Sequence, residues 1–200
     1  MDINKAIKKQ NKSYKRFMLI MCFIFFTLPL ILYLSETHSL FLWIYLIALE
    51  LLVLLAIFLK IDSMSLKYEC EPGRIKVIQG LLRKSYNINC EKVVFVHTEV
   101  YEDKEGVDIV LLTNSRFRNR NVKAVDSAFL RQHAYVSNQY LKIKQIYPEE
   151  EYYYLFFSKG ALLKEKLLVD IYKNCVKSKY SSDAIECIKK WSIQHENTKP

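Results

Sequence analysis

The chain has 200 residues, of which 51% are hydrophobic and 26% are charged, and its formal net charge at pH 7 is +9. Its few glycines and prolines, four of each, exclude collagen-like and low-complexity classes. Five cysteines, with no C-x-x-C pair, exclude a disulfide-rich scaffold. Because apolar and charged residues are both abundant, they must occupy separate parts of the chain. This favours a small domain joined to membrane segments over a single soluble domain.

Two long apolar runs lie near the N-terminus. Residues 17–34 contain no charged side chain, and residues 41–59 contain one carboxylate, Glu50. As helices, these runs would be roughly 27–29 Å long, which is enough to cross the hydrocarbon core of a bilayer. A cleaved signal peptide would explain the first run but not the second, which follows after a six-residue loop. The sequence therefore predicts a transmembrane helical hairpin over residues 17–61.

The distribution of basic residues predicts how this hairpin is oriented. Residues 1–16 carry six Lys or Arg and one Asp, the loop between the runs carries no Lys or Arg, and four more follow the second run by residue 76. Since Lys and Arg are enriched on the cytoplasmic side, residues 1–16 form a basic cytoplasmic segment in this interpretation. We expect a multi-pass protein of the cytoplasmic (inner) membrane with both termini in the cytoplasm. Four cysteines would then be free thiols in a reducing compartment: Cys70, Cys90, Cys175 and Cys187.

Glu50 lies near the middle of the second run. An ionised residue there costs about 2.5–3.5 kcal/mol on the insertion scale, which the surrounding apolar residues offset. One interpretation is a protonated Glu50 hydrogen-bonded to a neighbour, and Thr27 lies at a similar depth in the first run. Another is a contact with a membrane-protein partner or with a second copy of the chain. A proton relay is the least favoured, because neither run offers a second ionisable partner.

Residues 62–200 are long enough for one domain, and the first half of this segment has the pattern of β-strands. Short runs rich in apolar and β-branched residues are separated by turn residues, at 66–70, 75–78, 82–88, 92–100 and 107–113. Five consecutive strands with short connections predict an antiparallel meander.

The second half has helical spacing. Asp126 is a predicted N-cap of a helix reaching residue 143, and Pro148 with the acidic residues after it resembles another helix start. Residues 152–157 fit a strand or a helix equally well. An apolar stripe predicts a helix over residues 163–175, and Asp183 is the predicted N-cap of a last helix. The fold class is therefore a membrane-anchored α+β protein, in which a two-helix transmembrane hairpin is followed by a small antiparallel β-meander and several C-terminal helices.

One stretch carries a family resemblance. Residues 66–88 read LKYECEPGRIKVIQGLLRKSYNI. This stretch resembles the opening of bacterial pleckstrin-homology-like domains that follow paired transmembrane helices, with a Tyr-x-x-acidic strand, a turn, an apolar strand and Gly-Leu-Leu before basic residues. The match covers about 50 of the 200 residues. It implies a membrane-tethered β-sheet binding module over residues 62–113 and transfers no site residue. After Thr113 the chain departs from that pattern, because a helical segment intervenes.

The sequence contains no recognisable catalytic or metal-binding pattern. His97, His133 and His195 have no Cys or acidic partner at a metal-ligand spacing. There is also no glycine-rich phosphate loop and no G-x-S-x-G. We therefore expect no enzyme activity, no catalytic residue, no metal and no cofactor. An active site assembled from distant residues is the alternative.

The basic residues are more informative about binding. A basic surface loop is formed by Arg116, Phe117, Arg118, Arg120 and Lys123. Such a loop suits anionic lipid headgroups, a protein partner or, less favoured, nucleic acid, and it also fits a solvated loop without a role. The acidic residues from 99 to 108 and the lysines from 164 to 179 are interpreted as solvated.

The sequence as a whole predicts a non-enzymatic binding or assembly protein of the inner membrane. Its cytoplasmic domain would be presented to lipid headgroups or to a membrane-protein partner, with self-association as a variant of the latter. Two alternatives come from other classes. One is a membrane-associated enzyme or processing factor, and the other is a membrane-tethered nucleic-acid binder, whose DNA affinity would fall steeply with salt.

Overall fold

The computed structural model describes residues 3–35, 39–100, 106–116 and 121–196. The chain divides into two compact units, Met1–Ser63 and Met64–Pro200, which we call the helical unit and the α+β unit. Two long apolar helices are thus followed by antiparallel β-structure and C-terminal helices. This order of elements confirms the predicted layout.

The helical unit consists of α1 (Ile3–Leu34) and α2 (Leu40–Met64). Both helices are long and apolar enough to cross a membrane. Their apolar side chains are mostly exposed: Phe26 has 71% of its surface accessible and Leu52 has 61%. Exposed apolar surface of this extent is typical of helices that contact lipid or a partner. The helix α1 begins well before the apolar run, because the preceding segment is rich in Lys, which favours helix, and contains no Gly or Pro.

The α+β unit begins with a three-stranded antiparallel sheet. Its strands, in spatial and chain order, are β1 (Leu66–Glu71), β2 (Arg74–Gln79) and β3 (Lys84–Asn89). Gly73 has a φ of +72° in the turn between β1 and β2, a conformation that glycine adopts without a steric penalty. Ile75 and Val77 of β2 are completely buried, so alternate side chains of this strand supply the core.

A second sheet of five strands follows in the chain. It is built from β4 (Val93–Val100), β5 (Val107–Thr113), β6 (Lys123–Ala124), β7 (Tyr153–Phe157) and β8 (Lys179–Tyr180). The spatial order is β6-β7-β5-β4-β8, and only the β4–β8 pair is parallel. Every residue of the central strand β5 is buried. Burial of both alternate sets of side chains means that both faces of β5 are covered.

Four helices complete the α+β unit: α3 (Ser127–Gln132), α4 (Ala134–Ile146), α5 (Leu163–Asn174) and α6 (Ser182–Glu196). The predicted cap of α3 is confirmed, since the Asp126 side chain accepts a hydrogen bond of 2.7 Å from the backbone N–H of Phe129. Val110 of β5, Phe129 of α3 and Val136 of α4 belong to one hydrophobic cluster. Packing of this kind, rather than helix propensity, supplies most of the stability of short helices.

The predicted single meander is wrong, because the first five strands divide between two sheets. The separation occurs at a short 3₁₀ turn, Cys90–Lys92, which lies between β3 and β4. The Asn89 side chain accepts a hydrogen bond from the backbone N–H of Glu91 and fixes the start of this turn. The strand β4 therefore pairs with β5 and β8, not with β3.

One open assignment is settled and two local predictions are wrong. In the segment 152–157, Tyr153–Phe157 forms the strand β7, which pairs along β5. Pro148 lies in a turn and starts no helix. The last helix is capped by Ser181, whose hydroxyl oxygen accepts a hydrogen bond of 3.1 Å from the Ala184 N–H, and Asp183 lies within its first turn.

The cysteines differ from the expectation of free thiols. Cys90 and Cys175 form a disulfide, with their Cα atoms 4.4 Å apart, and both residues are buried. Cys70 and Cys187 carry free thiols. The bond joins the 3₁₀ turn after β3 to the end of α5. The cysteines therefore give no support to a reducing compartment. The predicted orientation of the hairpin in the membrane rests on the basic residues alone.

Candidate ligand-binding cleft

The α+β unit contains an open cleft of about 550 Å³. Both sheets contribute to it: Tyr86 comes from β3, and Tyr154 and Phe156 come from β7. The helix α3 adds Phe129 and His133 follows it. This volume is within the range of about 300–1,000 Å³ that is typical of small-molecule sites.

Three lysines line the cleft: Lys84, Lys123 and Lys159. Lys84 begins β3 and Lys123 begins β6, and these strands are the edges of their respective sheets. Lysines on edge strands also discourage edge-to-edge association, which is their ordinary structural role. Here they lie on two different sheets and line the same cleft. Among the described lining residues there is no Asp or Glu, so basic side chains outnumber acidic ones in the lining of the cleft.

Gln79 supplies a buried polar group to the cleft. Its side-chain Nε2 donates a hydrogen bond of 2.8 Å to the Phe156 carbonyl and a longer one of 3.3 Å to the Tyr86 hydroxyl. Because a carbonyl only accepts, the first bond fixes which end of the amide is the nitrogen. The Gln79 Oε1 atom is buried and has no hydrogen-bond partner among the described residues. A buried acceptor of this kind can accept a hydrogen bond from a water or from a bound molecule.

The aromatic side chains make one wall of the cleft rigid. The rings of Phe129 and Tyr154 stack at a centroid distance of 3.8 Å. His133 packs against the Phe129 ring, and its Nδ1 lies 2.5 Å from Glu99 Oε1. Asn121, in the segment before β6, donates a hydrogen bond of 3.1 Å to the Ser85 carbonyl of β3. This bond connects β3, at the edge of the first sheet, to the segment that precedes β6 of the second sheet.

The predicted basic loop contributes only in part to this cleft. Lys123 lines it, whereas Arg116 is exposed and is not among its lining residues. Phe117, Arg118 and Arg120 lie outside the described residues. Lys84 and Lys159, which also line the cleft, were not singled out by sequence, because they come from segments about 40 residues away from Lys123 on either side.

The predicted intramembrane residues Glu50 and Thr27 are not joined. The Thr27 hydroxyl donates within its own helix, to the Phe23 carbonyl at 2.9 Å and to the Ile24 carbonyl at 3.2 Å. Such bonding back to a preceding turn is common for Thr in apolar helices. Glu50 is half-buried in α2.

Sequence reasoning missed an ion pair in the core. Lys164 Nζ lies 2.5 Å from Asp108 Oδ1, and the two side chains are 2% and 1% exposed. Lys164 also donates a hydrogen bond of 3.0 Å to the Ser158 carbonyl. Both residues had been assigned to solvated groups, and that interpretation is wrong. A signal was present, since Lys164 is three, four and seven residues before buried positions of α5 and so lies on its buried face.

A second polar pair has a structural role. The His97 Nδ1 and Ser181 Oγ atoms are 2.9 Å apart and buried. Because Ser181 Oγ already accepts the Ala184 N–H, its hydroxyl proton is available for donation to His97. Burial lowers the pKa of His97, an effect that nearby Glu99 and Asp183 oppose. The serine therefore caps α6 and also contacts the buried histidine.

Within the ranges described above, no three His, Cys, Asp or Glu side chains come together as a metal site. Comparison with protein-family models, with curated proteins and with solved structures gives no match to this chain. The pleckstrin-homology-like resemblance therefore stays a prediction.

Proposed function

We propose that this chain is a non-enzymatic, membrane-anchored binding protein. In this proposal α1 and α2 span the inner membrane with both termini in the cytoplasm, and the α+β unit, a pleckstrin-homology-like module, binds an anionic ligand. One observation carries the ligand assignment: Lys84, Lys123 and Lys159 line one cleft whose described lining includes no carboxylate. The exposed apolar surface of the two helices supports the anchor.

The side chains of the cleft favour a phosphate-bearing ligand. Ammonium groups bind phosphate as point charges, and three of them suit a group that carries more than one oxygen acceptor. The unpartnered Gln79 Oε1 favours a ligand that also carries a donor, such as a hydroxyl. A glycerophosphate has both features. It occurs as the headgroup of an anionic lipid and as a free phosphate ester, and the two sources share the chemistry that the cleft would recognise.

The test is calorimetric titration of the full-length protein in a neutral detergent. The probes are glycerol 1-phosphate, dihexanoyl phosphatidylglycerol and, as the zwitterionic reference, dihexanoyl phosphatidylcholine. Lys84→Ser combined with Lys123→Ser should weaken binding of the anionic probe. Because both lysines are exposed, we expect their replacement to leave the fold intact. At about 1 kcal/mol for each lysine, the affinity should fall roughly thirtyfold.

The matched control is Lys166→Ser combined with Lys173→Ser. These lysines are also exposed, lie on α5 and do not line the cleft, so the change in net charge is the same. The control should retain the wild-type affinity. Equal losses in both double variants would reduce the effect to net charge and contradict a specific cleft. Binding of glycerol 1-phosphate alone identifies a free ester as sufficient, whereas binding of the anionic lipid only identifies the membrane headgroup.

A membrane-protein partner is the second candidate function. It is supported by Glu50, a half-buried carboxylate within the apolar run of α2. Carboxylates in such helices commonly pair with polar groups of a neighbouring helix. This candidate is compatible with ligand binding by the α+β unit.

A further inference from the structure

We propose that the turn between β2 and β3 inserts into the lipid–water interface of the membrane that holds α1 and α2. Leu81 and Leu82 would enter the interface, and Arg83 would contact anionic headgroups beside them. The inference rests on the proposed membrane anchor. It gives the α+β unit a direct contact with the bilayer, in addition to its covalent link to α2.

The geometry of the turn exposes two leucines. The Arg83 N–H donates a hydrogen bond of 3.0 Å to the Gly80 carbonyl, which leaves Leu81 and Leu82 as the two central residues of a four-residue turn. Leu81 is 46% exposed and Leu82 is 83% exposed, while Gly80 is buried. Both leucines are among the exposed large apolar residues of the α+β unit. Their exposure favours a surface that removes them from water.

The topology of the sheet places this turn at the end where the chain leaves α2. The strand β1 starts at Leu66, directly after Ser65, and the antiparallel β2 returns to the same end. The contact is direct, since the Gly80 N–H donates a hydrogen bond of 2.8 Å to the Ser65 carbonyl. The opposite end of the sheet holds the turn at Gly73. The turn with Leu81 and Leu82 is therefore the one held beside the exit of the chain from α2.

The distance from the membrane along the chain is short. Ser65 is six residues beyond the end of the apolar run at residue 59, and α2 continues to Met64. At about 1.5 Å per helical residue this segment rises roughly 9 Å, close to the thickness of about 5–8 Å of one interfacial layer. A turn hydrogen-bonded to Ser65 is therefore within reach of the headgroups.

The charges beside the leucines fit a bilayer better than an apolar protein groove. Arg83 and Lys84 follow Leu82 directly, and both side chains are exposed. Two apolar residues next to basic ones match the interface of an anionic membrane, where leucine contacts acyl chains and Lys or Arg contacts phosphate. Lys84 also lines the lysine cleft, so docking of this turn would bring the cleft to the headgroup layer.

The experiment uses the full chain in nanodiscs of phosphatidylcholine and phosphatidylglycerol. Cys22, Cys70 and Cys187 are replaced by Ser, the Cys90–Cys175 disulfide is kept, and Leu82→Cys is labelled with an environment-sensitive fluorophore. Lipids that carry a nitroxide near the headgroup then report proximity. We expect a blue-shifted emission and roughly twofold quenching, because the label lies at the depth of interfacial side chains. Arg83→Ser should reduce this quenching.

The matched control is a label at Val176→Cys, since Val176 is an apolar residue that is 80% exposed in the segment after α5. It should show neither shift nor quenching. A label at residue 82 that is as water-exposed as the control would overturn the inference but leave the anchor intact. A blue-shifted label that lipid nitroxides do not quench would indicate a covering protein and also overturn it. Failure of the chain to enter nanodiscs would overturn the anchor and the inference together.

An unlabelled measurement covers the case in which the cysteine variants do not fold. Hydrogen exchange of the wild-type chain compares anionic nanodiscs with nanodiscs of phosphatidylcholine only. Amides of residues 81 and 82 should exchange several-fold more slowly in the anionic discs, because docking excludes water from the turn. Equal exchange in the two membranes would contradict the charge-assisted docking.

Discussion

The helical unit and the α+β unit each place a carboxylate in apolar surroundings, and they do so differently. Glu50 is half-buried in α2. Asp108 of the α+β unit is 1% exposed and faces the ammonium of Lys164 at 2.5 Å. A single carboxylate in a membrane helix can reach a partner outside the chain, whereas one in a closed core must be neutralised inside it. Asp108 therefore belongs to the fold of its unit, whereas an assembly role for Glu50 is a proposal that a variant can test.

The largest effect is expected from a variant that breaks the buried ion pair between Lys164 and Asp108. Lys164→Ala leaves Asp108 in the core without its ammonium, which should lower the free energy of unfolding of the α+β unit by about 3–5 kcal/mol. The measurement is urea unfolding of the full chain in detergent, followed by fluorescence of Trp191, which is buried in this unit, in a Trp43→Phe background.

Two further variants sharpen this measurement. Lys166→Ala removes an exposed lysine two residues away and should change the free energy of unfolding by no more than about 0.5 kcal/mol. Lys164→Met combined with Asp108→Asn removes both charges and should cost less than Lys164→Ala alone. If Lys164→Ala and Lys166→Ala unfold at the same urea concentration, the pair does not support the core.

A smaller effect is expected at the loop that holds this pair in place. Gly160 lies between Ser158, whose carbonyl binds Lys164, and the start of α5. Its φ is +106°, and an added Cβ would lie 2.3 Å from the Leu66 Cβ. Gly160→Ala should therefore lower the free energy of unfolding by about 2–3 kcal/mol, through overpacking and backbone strain together.

The matched control for Gly160 is Gly73. Its φ is +72°, but an added Cβ meets no atom within 4 Å. Gly73→Ala should cost about 1 kcal/mol, which isolates the backbone strain from the steric contact. The same urea unfolding measures both variants. Equal losses at the two glycines would show that the close approach to Leu66 is relieved without cost.

Local patterns explain which parts of this structure could be predicted. The apolar runs gave the two long helices, because the length and composition of a segment decide whether it can cross a bilayer. The Asp126 cap was predictable because the carboxylate binds an N–H only three residues away. Neither feature depends on the rest of the chain.

Contacts between distant segments could not be predicted. The second sheet depends on β7, which pairs with β5 from about 40 residues away. The lysine cleft depends on how the two sheets pack, because Lys84 and Lys123 belong to different sheets. Asp108 and Lys164 are 56 residues apart, so the helical spacing that places Lys164 on the buried face of α5 could not identify its partner.

The smallest effect on the α+β unit is expected from Glu50→Leu, which tests the other side of the comparison. The change removes the insertion cost of about 2.5–3.5 kcal/mol, so the helix should enter the membrane at least as well. The unfolding of the α+β unit, followed through Trp191, should not change.

If Glu50 holds a membrane partner, that partner should disappear from the proteins that mass spectrometry identifies after purification from native membranes. Glu50→Gln is the control, because its amide keeps hydrogen-bonding capacity and should retain part of the partner. An identical set of co-purifying proteins in all three chains would show that Glu50, like Asp108, has no role outside its own unit.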